Sequence, residues 1–223
     1  MVIGASGGIG SALTRALQAH GTEVVGTSRT ALQGHIALDL TDEGSIAAAA
    51  RVVGPVDLVV VASGILAPPG SSPERSLRDL DAATLNTVMA VNAVGPALIL
   101  RHFVPLLPKD RRAAVAMLGA RVGSIGDNRL GGWYGYRASK AALAMIVRSA
   151  AIELARSHPR AFVCALHPGT VATALSEPFL SPRRTREVFT PEQAAQHLLA
   201  VLAGLTPHDS GGHFAWDGSL IMP

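Results

Sequence analysis

Cysteine, charged residues and aromatic residues are all scarce in this 223-residue sequence. Cys164 is the only cysteine, so the chain can form neither an internal disulfide nor a cysteine-rich metal site. Charged residues make up 16% and hydrophobic residues 48%, a balance that argues against disorder and supplies a large buried core. The sequence therefore predicts a globular protein in a reducing, cytoplasmic setting, without a metal site.

Long apolar runs are also missing. No uninterrupted run reaches the roughly 18 residues of a membrane span, and the start Met1-Val2-Ile3-Gly4 lacks the basic and apolar regions of a signal peptide. The net charge is +3, and the basic residues are scattered apart from Arg111-Arg112 and the group Arg183, Arg184 and Arg186. No nucleic-acid motif accompanies them. We predict no membrane span and no nucleic-acid partner, with an arginine or two serving an anionic cofactor.

Short β-rich apolar runs alternate with longer helical stretches along the chain. The run 57–62 (DLVVVA) is continuously apolar, as is typical of a parallel strand buried on both faces. With no linker or repeat, this alternation predicts a single domain over 1–223: a doubly wound, Rossmann-type α/β fold of about seven parallel strands in three layers. The predicted strands are 2–3, 23–27, 35–38, 57–62, 113–118, 161–166 and 212–216, and the predicted helices are 11–19, 45–52, 81–107, 136–157 and 191–203.

Two segments are predicted to be substrate loops, at about 67–78 and 174–189. Both follow predicted strands, at the edge where α/β sheets bind their ligands. The first strand is an anomaly, because only three residues precede Gly4 whereas strands commonly have about five or six.

A glycine loop follows that first strand and precedes a predicted helix. Its glycines permit positive φ and close approach of a pyrophosphate, whose charge then faces the helix N-terminus. A structural tight turn would give a similar pattern, but the strand before it and the helix after it favour a dinucleotide loop. The residues assigned to the cofactor here are Gly4, Ser6, Gly8, Ile9 and Gly10.

Tyr136 and Lys140 form a Tyr-x-x-x-Lys motif that lies on one face of a predicted helix. An adjacent ammonium should lower the pKa of a phenol from about 10 toward the working range. Together with the G-x-x-x-G-x-G spacing of the glycine loop, this motif resembles the short-chain dehydrogenase/reductase family. The resemblance runs along nearly the whole chain, and it is nearest to the C-factor and sniffer-like carbonyl reductases of that family.

The resemblance assigns further cofactor residues. Strand two ends in Thr27-Ser28-Arg29, without the acidic residue that NAD-preferring members carry, so Ser28 and Arg29 are expected to bind the 2′-phosphate of NADPH (NADP). A solvated surface arginine is the alternative for Arg29. Asp39 and Leu40 match the adenine site. Ala62, Ser63 and Gly64 stand in the place of the family's Asn-Ala-Gly turn, and Val171 and Thr173 match its nicotinamide-binding loop.

The resemblance also assigns catalytic residues. It implies that Tyr136 donates a proton, that Lys140 also holds the nicotinamide ribose, and that Asn92 kinks a long helix and holds a relay water. The family's catalytic serine is missing, because the aligned position is Ala120. Ser124 lies 12 residues before Tyr136 (136 − 124), close to the family spacing. Either Ser124 has taken over the hydrogen bond to the oxyanion, or that bond is lost.

The predicted function is NADPH-dependent reduction of a small-molecule carbonyl, an aldehyde or ketone, to an alcohol. The alternative is a nucleotide-binding sensor or signalling protein with little or no turnover, which the alanine at position 120 would explain. A homodimer or homotetramer is expected from the resemblance alone. The identity of the substrate depends on loop shape, which the sequence does not specify.

Overall fold

The structure is a computed structural model that describes residues 1–31, 34–179 and 187–223. Its main feature is a sheet of seven parallel strands in the order β3-β2-β1-β4-β5-β6-β9. These strands are β1 (Val2–Ile3), β2 (Gly26–Ser28), β3 (Ile36–Ala37), β4 (Leu58–Val61), β5 (Ala113–Leu118), β6 (Ala161–His167) and β9 (His213–Ala215). The predicted Rossmann-type α/β fold is confirmed.

Helices cover both faces of this sheet. They are α1 (Gly8–Ala19), α2 (Glu43–Val53), α3 (Ala82–Met89), α4 (Gly95–Phe103), α5 (Tyr134–Ser157) and α6 (Pro191–Gly204). One buried cluster joins α1 and α6 to the sheet through residues such as Leu13, Phe162 and Leu198. The other joins α2, α4 and α5 to the opposite face through Ile46 and Phe103, among others. Apolar burial on both faces explains the continuous apolar run of β4.

The predicted helix 81–107 is broken in the structure. A π turn, Ala90–Val94, separates α3 from α4, and a 3₁₀ turn, Val104–Leu106, ends the segment. By length and hydropathy alone, Ala82–Leu106 could cross a membrane, which is weak evidence for a span. Part of its apolar composition is used in the core, where Ile99 and Phe103 are fully buried beside the sheet.

A second, two-stranded sheet was not predicted from the sequence. Its strands are β7 (Thr170–Val171) and β8 (Val188–Phe189), which pair in parallel. Gly169 makes the turn before β7 with φ +80°, and a Cβ there would lie 2.7 Å from Phe189 Cε2. This small sheet fixes the loop that follows β6, at the edge where the carboxyl ends of the main strands meet. The chain reverses its winding between β1 and β4, which is the usual position of a ligand crevice.

Candidate active site

The loop between β1 and α1 is packed tightly against its neighbours at its glycines. Gly4 has φ +82°, a Cβ on Gly10 would collide with the Gly4 carbonyl, and a Cβ on Gly8 would lie 2.9 Å from Thr173 Cγ2. The first turn of α1 has no acidic residue, and no side chain caps it. Its amide groups and its dipole therefore favour an anion at this end of the helix. The residues assigned to the cofactor from the sequence, Gly4, Ser6, Gly8, Ile9 and Gly10, lie in this loop and at the start of α1.

Ser28 and Arg29 lie at the carboxyl end of β2, with Ser28 buried and Arg29 exposed. No ion pair among the described residues includes Arg29. The pKa of Asp39 is lowered chiefly because the Thr41 backbone N–H donates to Oδ1 at 2.8 Å, with a smaller effect from the charge of Arg29. Arg29 and Asp39 therefore lie near each other. Leu40 is buried against Gly95: a Cβ on Gly95 would lie 2.6 Å from the Leu40 Cβ.

Asn92 lies in the π turn and is 1% exposed. Its Oδ1 accepts a hydrogen bond from Ile65 N at 2.9 Å, and its Nδ2 donates to Ile65 O at 2.8 Å and to Ser139 Oγ at 3.0 Å. A Cβ on Gly64 would lie 3.2 Å from Asn92 Oδ1 and 3.5 Å from Lys140 Nζ. Asn92 thus ties the turn after β4 to α5, and the glycine allows this close approach. π turns of this kind are frequent at functional sites.

Tyr136 and Lys140 lie on the first turns of α5, and both are buried. Lys140 Nζ donates to Leu118 O at 2.7 Å and lies 5.7 Å from the centroid of the Tyr136 ring. Burial raises the pKa of Tyr136 to about 12 and lowers the pKa of Lys140 to about 8. The pKa of Tyr136 is thus raised by desolvation, in the direction opposite to the lowering that the sequence predicts from Lys140.

Tyr136 opens onto a cavity of about 490 Å³. Ile9 of the glycine loop and Val171 and Thr173 of the loop after β6 line the same cavity, so residues from the ends of several strands meet there. A larger cavity of about 650 Å³ lies between α1 and α6, where it is lined by residues such as Leu58 and Ala113 from the starts of strands. We consider the smaller cavity the candidate active site because Tyr136 and Ile9 of the glycine loop both line it. Its rim carries Arg121, Asp127, Arg129 and Arg137, and its apolar side carries Leu66, Leu130, Trp133, Leu175 and Phe179.

The sequence comparison agrees with this geometry. The family model described as short chain dehydrogenase matches residues 1–183, most of the chain and all of the elements from β1 to α5. The chain belongs to the short chain dehydrogenase family. A 1-hydroxy-2-glutathionyl-2-methyl-3-butene dehydrogenase of Rhodococcus sp. is 31% identical over 234 residues, covering 100% of this chain and 98% of the relative.

Two further similar proteins correspond to the C-factor and carbonyl reductase subgroup expected from the sequence. C-signal of Myxococcus xanthus is 34% identical over 169 residues, which cover 75% of this chain and 93% of the relative. The crystal structure of NADPH-bound carbonyl reductase from chicken fatty liver superposes with a TM-score of 0.85 at 26% identity, covering 100% of this chain and 98% of the other. The predicted resemblance to C-factor-like carbonyl reductases within the short chain dehydrogenase family is confirmed.

The family's serine position and Ser124 are found in different places. Ala120 is 7% exposed, lines the candidate cavity and packs in one apolar cluster with Tyr136 and Leu66. Ser124 is buried, its Oγ accepts a hydrogen bond from Asp127 N at 3.2 Å, and it lines a separate cavity of about 570 Å³ beside α5 and β9. This placement argues against the prediction that Ser124 replaces the family's serine. The Ser124 hydroxyl accepts a hydrogen bond within the turn to Asp127, and Ser124 does not line the candidate cavity.

Sequence reasoning missed two aromatic residues of the cavity. Trp133 has φ +52°, an uncommon conformation for a residue with a side chain. Its ring meets Tyr136 and Phe179 edge to face, at centroid distances of 6.1 and 5.1 Å. Phe179 belongs to the predicted substrate loop 174–189, which also places Leu175 and Ser176 in the lining. Residues 180–186 of that loop, including Arg183, Arg184 and Arg186, lie outside the described residues.

Proposed function

We propose that the protein is an NADPH-dependent oxidoreductase that reduces an aldehyde or ketone to an alcohol, with Tyr136 as the proton donor. One observation carries the proposal: the buried Tyr136 phenol, with Lys140 beside it, shares a cavity with Ile9 of the glycine loop and Thr173. The NADPH-bound carbonyl reductase at 26% identity supports this reaction, and the Rhodococcus dehydrogenase supports an oxidoreductase.

The residues present fit a nicotinamide dinucleotide phosphate. The glycine loop has room only for hydrogen atoms at Gly4 and Gly10, so its backbone can approach a pyrophosphate at the start of α1. Arg29 lies at the end of β2, uncommitted to a carboxylate among the described residues, where it would bind the 2′-phosphate. Ala62 and Ser63 at the end of β4 would contact the cofactor through their backbone. When bound, NADPH supplies the hydride.

The chain's own residues provide the proton and the alignment. With its pKa raised to about 12, Tyr136 is protonated at neutral pH and can donate to a carbonyl oxygen as negative charge develops there. Lys140 is fixed by its hydrogen bond to Leu118 O, and its ammonium would hold the nicotinamide ribose and stabilise the phenolate left after transfer. Asn92 fixes the turn after β4 against α5, and Val171 and Thr173 would orient the nicotinamide carboxamide.

The direct test is NADPH oxidation, followed at saturating cofactor over a panel of aldehydes, ketones and quinones. Turnover of at least one carbonyl with matching alcohol formation is expected. If NADPH binds tightly but no panel member is reduced, the result favours the alternative of a nucleotide-binding sensor. A chain that binds no NADPH would overturn both hypotheses.

We expect NADPH to bind more tightly than NADH by roughly tenfold or more, because Arg29 can make charge-assisted hydrogen bonds to the 2′-phosphate. Arg29→Asp should reverse this preference, since a carboxylate repels that phosphate and accepts from a ribose hydroxyl. Titration of both cofactors against both proteins measures the effect, with Arg51→Asp on the exposed side of α2 as a control for general charge. Equal affinities in the wild-type protein would contradict the assignment.

We expect kcat/KM for the carbonyl substrate to fall as the pH rises above about 8, the value to which burial lowers the pKa of Lys140. The Lys140 ammonium is present below that pH and is lost above it, whereas Tyr136, with a pKa of about 12, stays protonated throughout. The measurement is a pH–rate profile from pH 6 to about 10, with circular dichroism at each pH to confirm the fold. A flat profile across this range would contradict the expectation that activity depends on a Lys140 ammonium with a pKa of about 8.

A further inference from the structure

Glu74 is a buried acid in an exposed loop. Glu74 is 3% exposed and Pro73 before it is also buried, whereas Ser72 and Arg75 on either side of this pair are exposed. Glutamate is almost never fully buried unless it is paired. Within the described residues, however, no ion pair includes Glu74. Its burial therefore needs another explanation.

The partner of Glu74 is the start of α5, the helix that carries Tyr136 and Lys140. Gly135 N donates to Glu74 Oε2 at 3.2 Å, and Trp133 N donates to the Glu74 backbone carbonyl at 2.5 Å. A Cβ on Gly135 would lie 2.8 Å from Glu74 Oε1, so the glycine makes room for the carboxylate. The Glu74 backbone thus binds Trp133, the last residue before α5, and the Glu74 side chain binds Gly135, the second residue of α5.

The helix start needs a partner of this kind. Trp133, at the N-cap position of α5, is left-handed and offers no side-chain cap, and the first turn contains no acidic residue. The first amide groups of a helix have no partner within it, and its dipole favours a negative charge at that end. Glu74 Oε1 has no hydrogen-bond partner among the described residues, so the bond from Gly135 N to Oε2 is the only hydrogen bond of the carboxylate there.

We propose that Glu74 is a positioning residue, which caps α5 from the loop after β4 and so fixes Trp133 and Tyr136 in the candidate cavity. This inference rests on the proposed function of Tyr136 for its catalytic consequence. It also gives loop 67–78 a role in the site that differs from direct substrate contact: the loop holds the catalytic helix in place.

The test compares Glu74→Ala, Glu74→Asp and Glu74→Gln with the wild-type protein. Glutamine keeps an oxygen acceptor at the same reach, whereas aspartate withdraws it by one carbon and alanine removes it. We expect kcat to fall roughly tenfold or more in Glu74→Ala and Glu74→Asp, and to stay within about threefold in Glu74→Gln, because a small misplacement of a catalytic group costs up to about 10² in rate. The Kd for NADPH should change less than kcat, because the glycine loop and Arg29, which are proposed to bind its phosphates, lie outside α5.

Asp42→Ala is the matched control. Asp42 caps α2, and its Oδ1 accepts from Gly44 N, the same second-residue amide, at 2.8 Å. This variant loses the same kind of bond from a helix that contributes nothing to the cavity. It should lose stability comparably but keep kcat. Retention of kcat in both Glu74→Ala and Glu74→Asp, or a Glu74→Gln variant as slow as Glu74→Ala, would overturn the proposal.

A readout that needs no turnover separates this proposal from the proposed function. The chain has two tryptophans, so Trp216→Phe leaves Trp133 as the only reporter of the cavity. In that background, Glu74→Ala and Glu74→Asp should shift the Trp133 emission to longer wavelength, and Asp42→Ala should not. Unchanged emission in both Glu74 variants overturns the positioning role even if the enzyme is active. If the wild-type protein has no reductase activity but the Glu74 variants show the emission shift, the proposed function is refuted and the positioning role of Glu74 is not.

Discussion

Tyr136→Phe is expected to abolish carbonyl reduction, with kcat lowered by roughly 10²–10⁴, the usual contribution of a general acid. Only the phenolic oxygen is removed, and the ring keeps its contacts with Trp133. The Tyr136 hydroxyl makes no hydrogen bond to another described residue, so its removal should cost little stability. The measurement is single-turnover reduction by the variant loaded with NADPH.

Tyr134→Phe provides the control for this experiment. The chain has two tyrosines, and Tyr134 lies on the same turn of α5, half-buried and outside the lining of the candidate cavity. Its variant should keep kcat near the wild-type value, and both variants should bind NADPH as the wild-type protein does. If Tyr136→Phe retained most of its kcat, another group would have to supply the proton.

The fold was predictable because its signals are local. The apolar run 57–62 became β4 at Leu58–Val61, and 113–118 and 191–203 became β5 and α6 within a residue or so at each end. Thr190 and Pro191 start α6 as a capping box with proline in the first turn. Boundaries were least accurate where no such signal exists. The predicted strand 23–27 is Gly26–Ser28 in the structure, and β7 and β8 are two residues each, too short for a periodicity.

The candidate site was predictable only in part. Glycine and Tyr-x-x-x-Lys spacing identified two segments, within single loops or turns, from which Ile9 and Tyr136 line one cavity. Glu74 and Trp133 were missed because their roles depend on a contact between segments about sixty residues apart in sequence, which no local pattern encodes. The direction of the Tyr136 pKa was mistaken for the same reason, since burial depends on the packing of the whole cavity.

Ser124 shows how sequence distance can mislead. Its separation from Tyr136 resembles the family spacing, but after Ala120, Arg121 and Val122, which line the candidate cavity, the 3₁₀ turn Arg121–Gly123 places Ser124 at a different cavity. The close approach of Gly123 to Lys140, where a Cβ would lie 2.8 Å from the Lys140 carbonyl carbon, requires this path. Ser124 consequently lies beside Ala141 and Ala144 of α5.

Ala120→Ser is therefore expected to raise kcat, by about tenfold and at most about 10²-fold, because loss of one oxyanion donor costs on the order of 10²–10³. The Ala120 methyl group lines the cavity beside Tyr136, so a hydroxyl there adds a second hydrogen bond to the carbonyl oxygen as its negative charge develops. The measurement is kcat with one good aldehyde from the substrate panel. Ala120→Cys is the size control, since a thiol is only a weak donor.

Ser124→Ala completes this comparison. Its kcat should stay within about twofold of the wild-type value, with a stability loss of about 1 kcal/mol because the Asp127 amide loses its acceptor. The double variant Ala120→Ser/Ser124→Ala should then be as fast as Ala120→Ser, since only position 120 faces the reacting oxygen. A strong fall in kcat on Ser124→Ala, rescued in part by serine at position 120, would show instead that the segment after Ala120 rearranges when substrate binds and brings the Ser124 hydroxyl to the oxyanion.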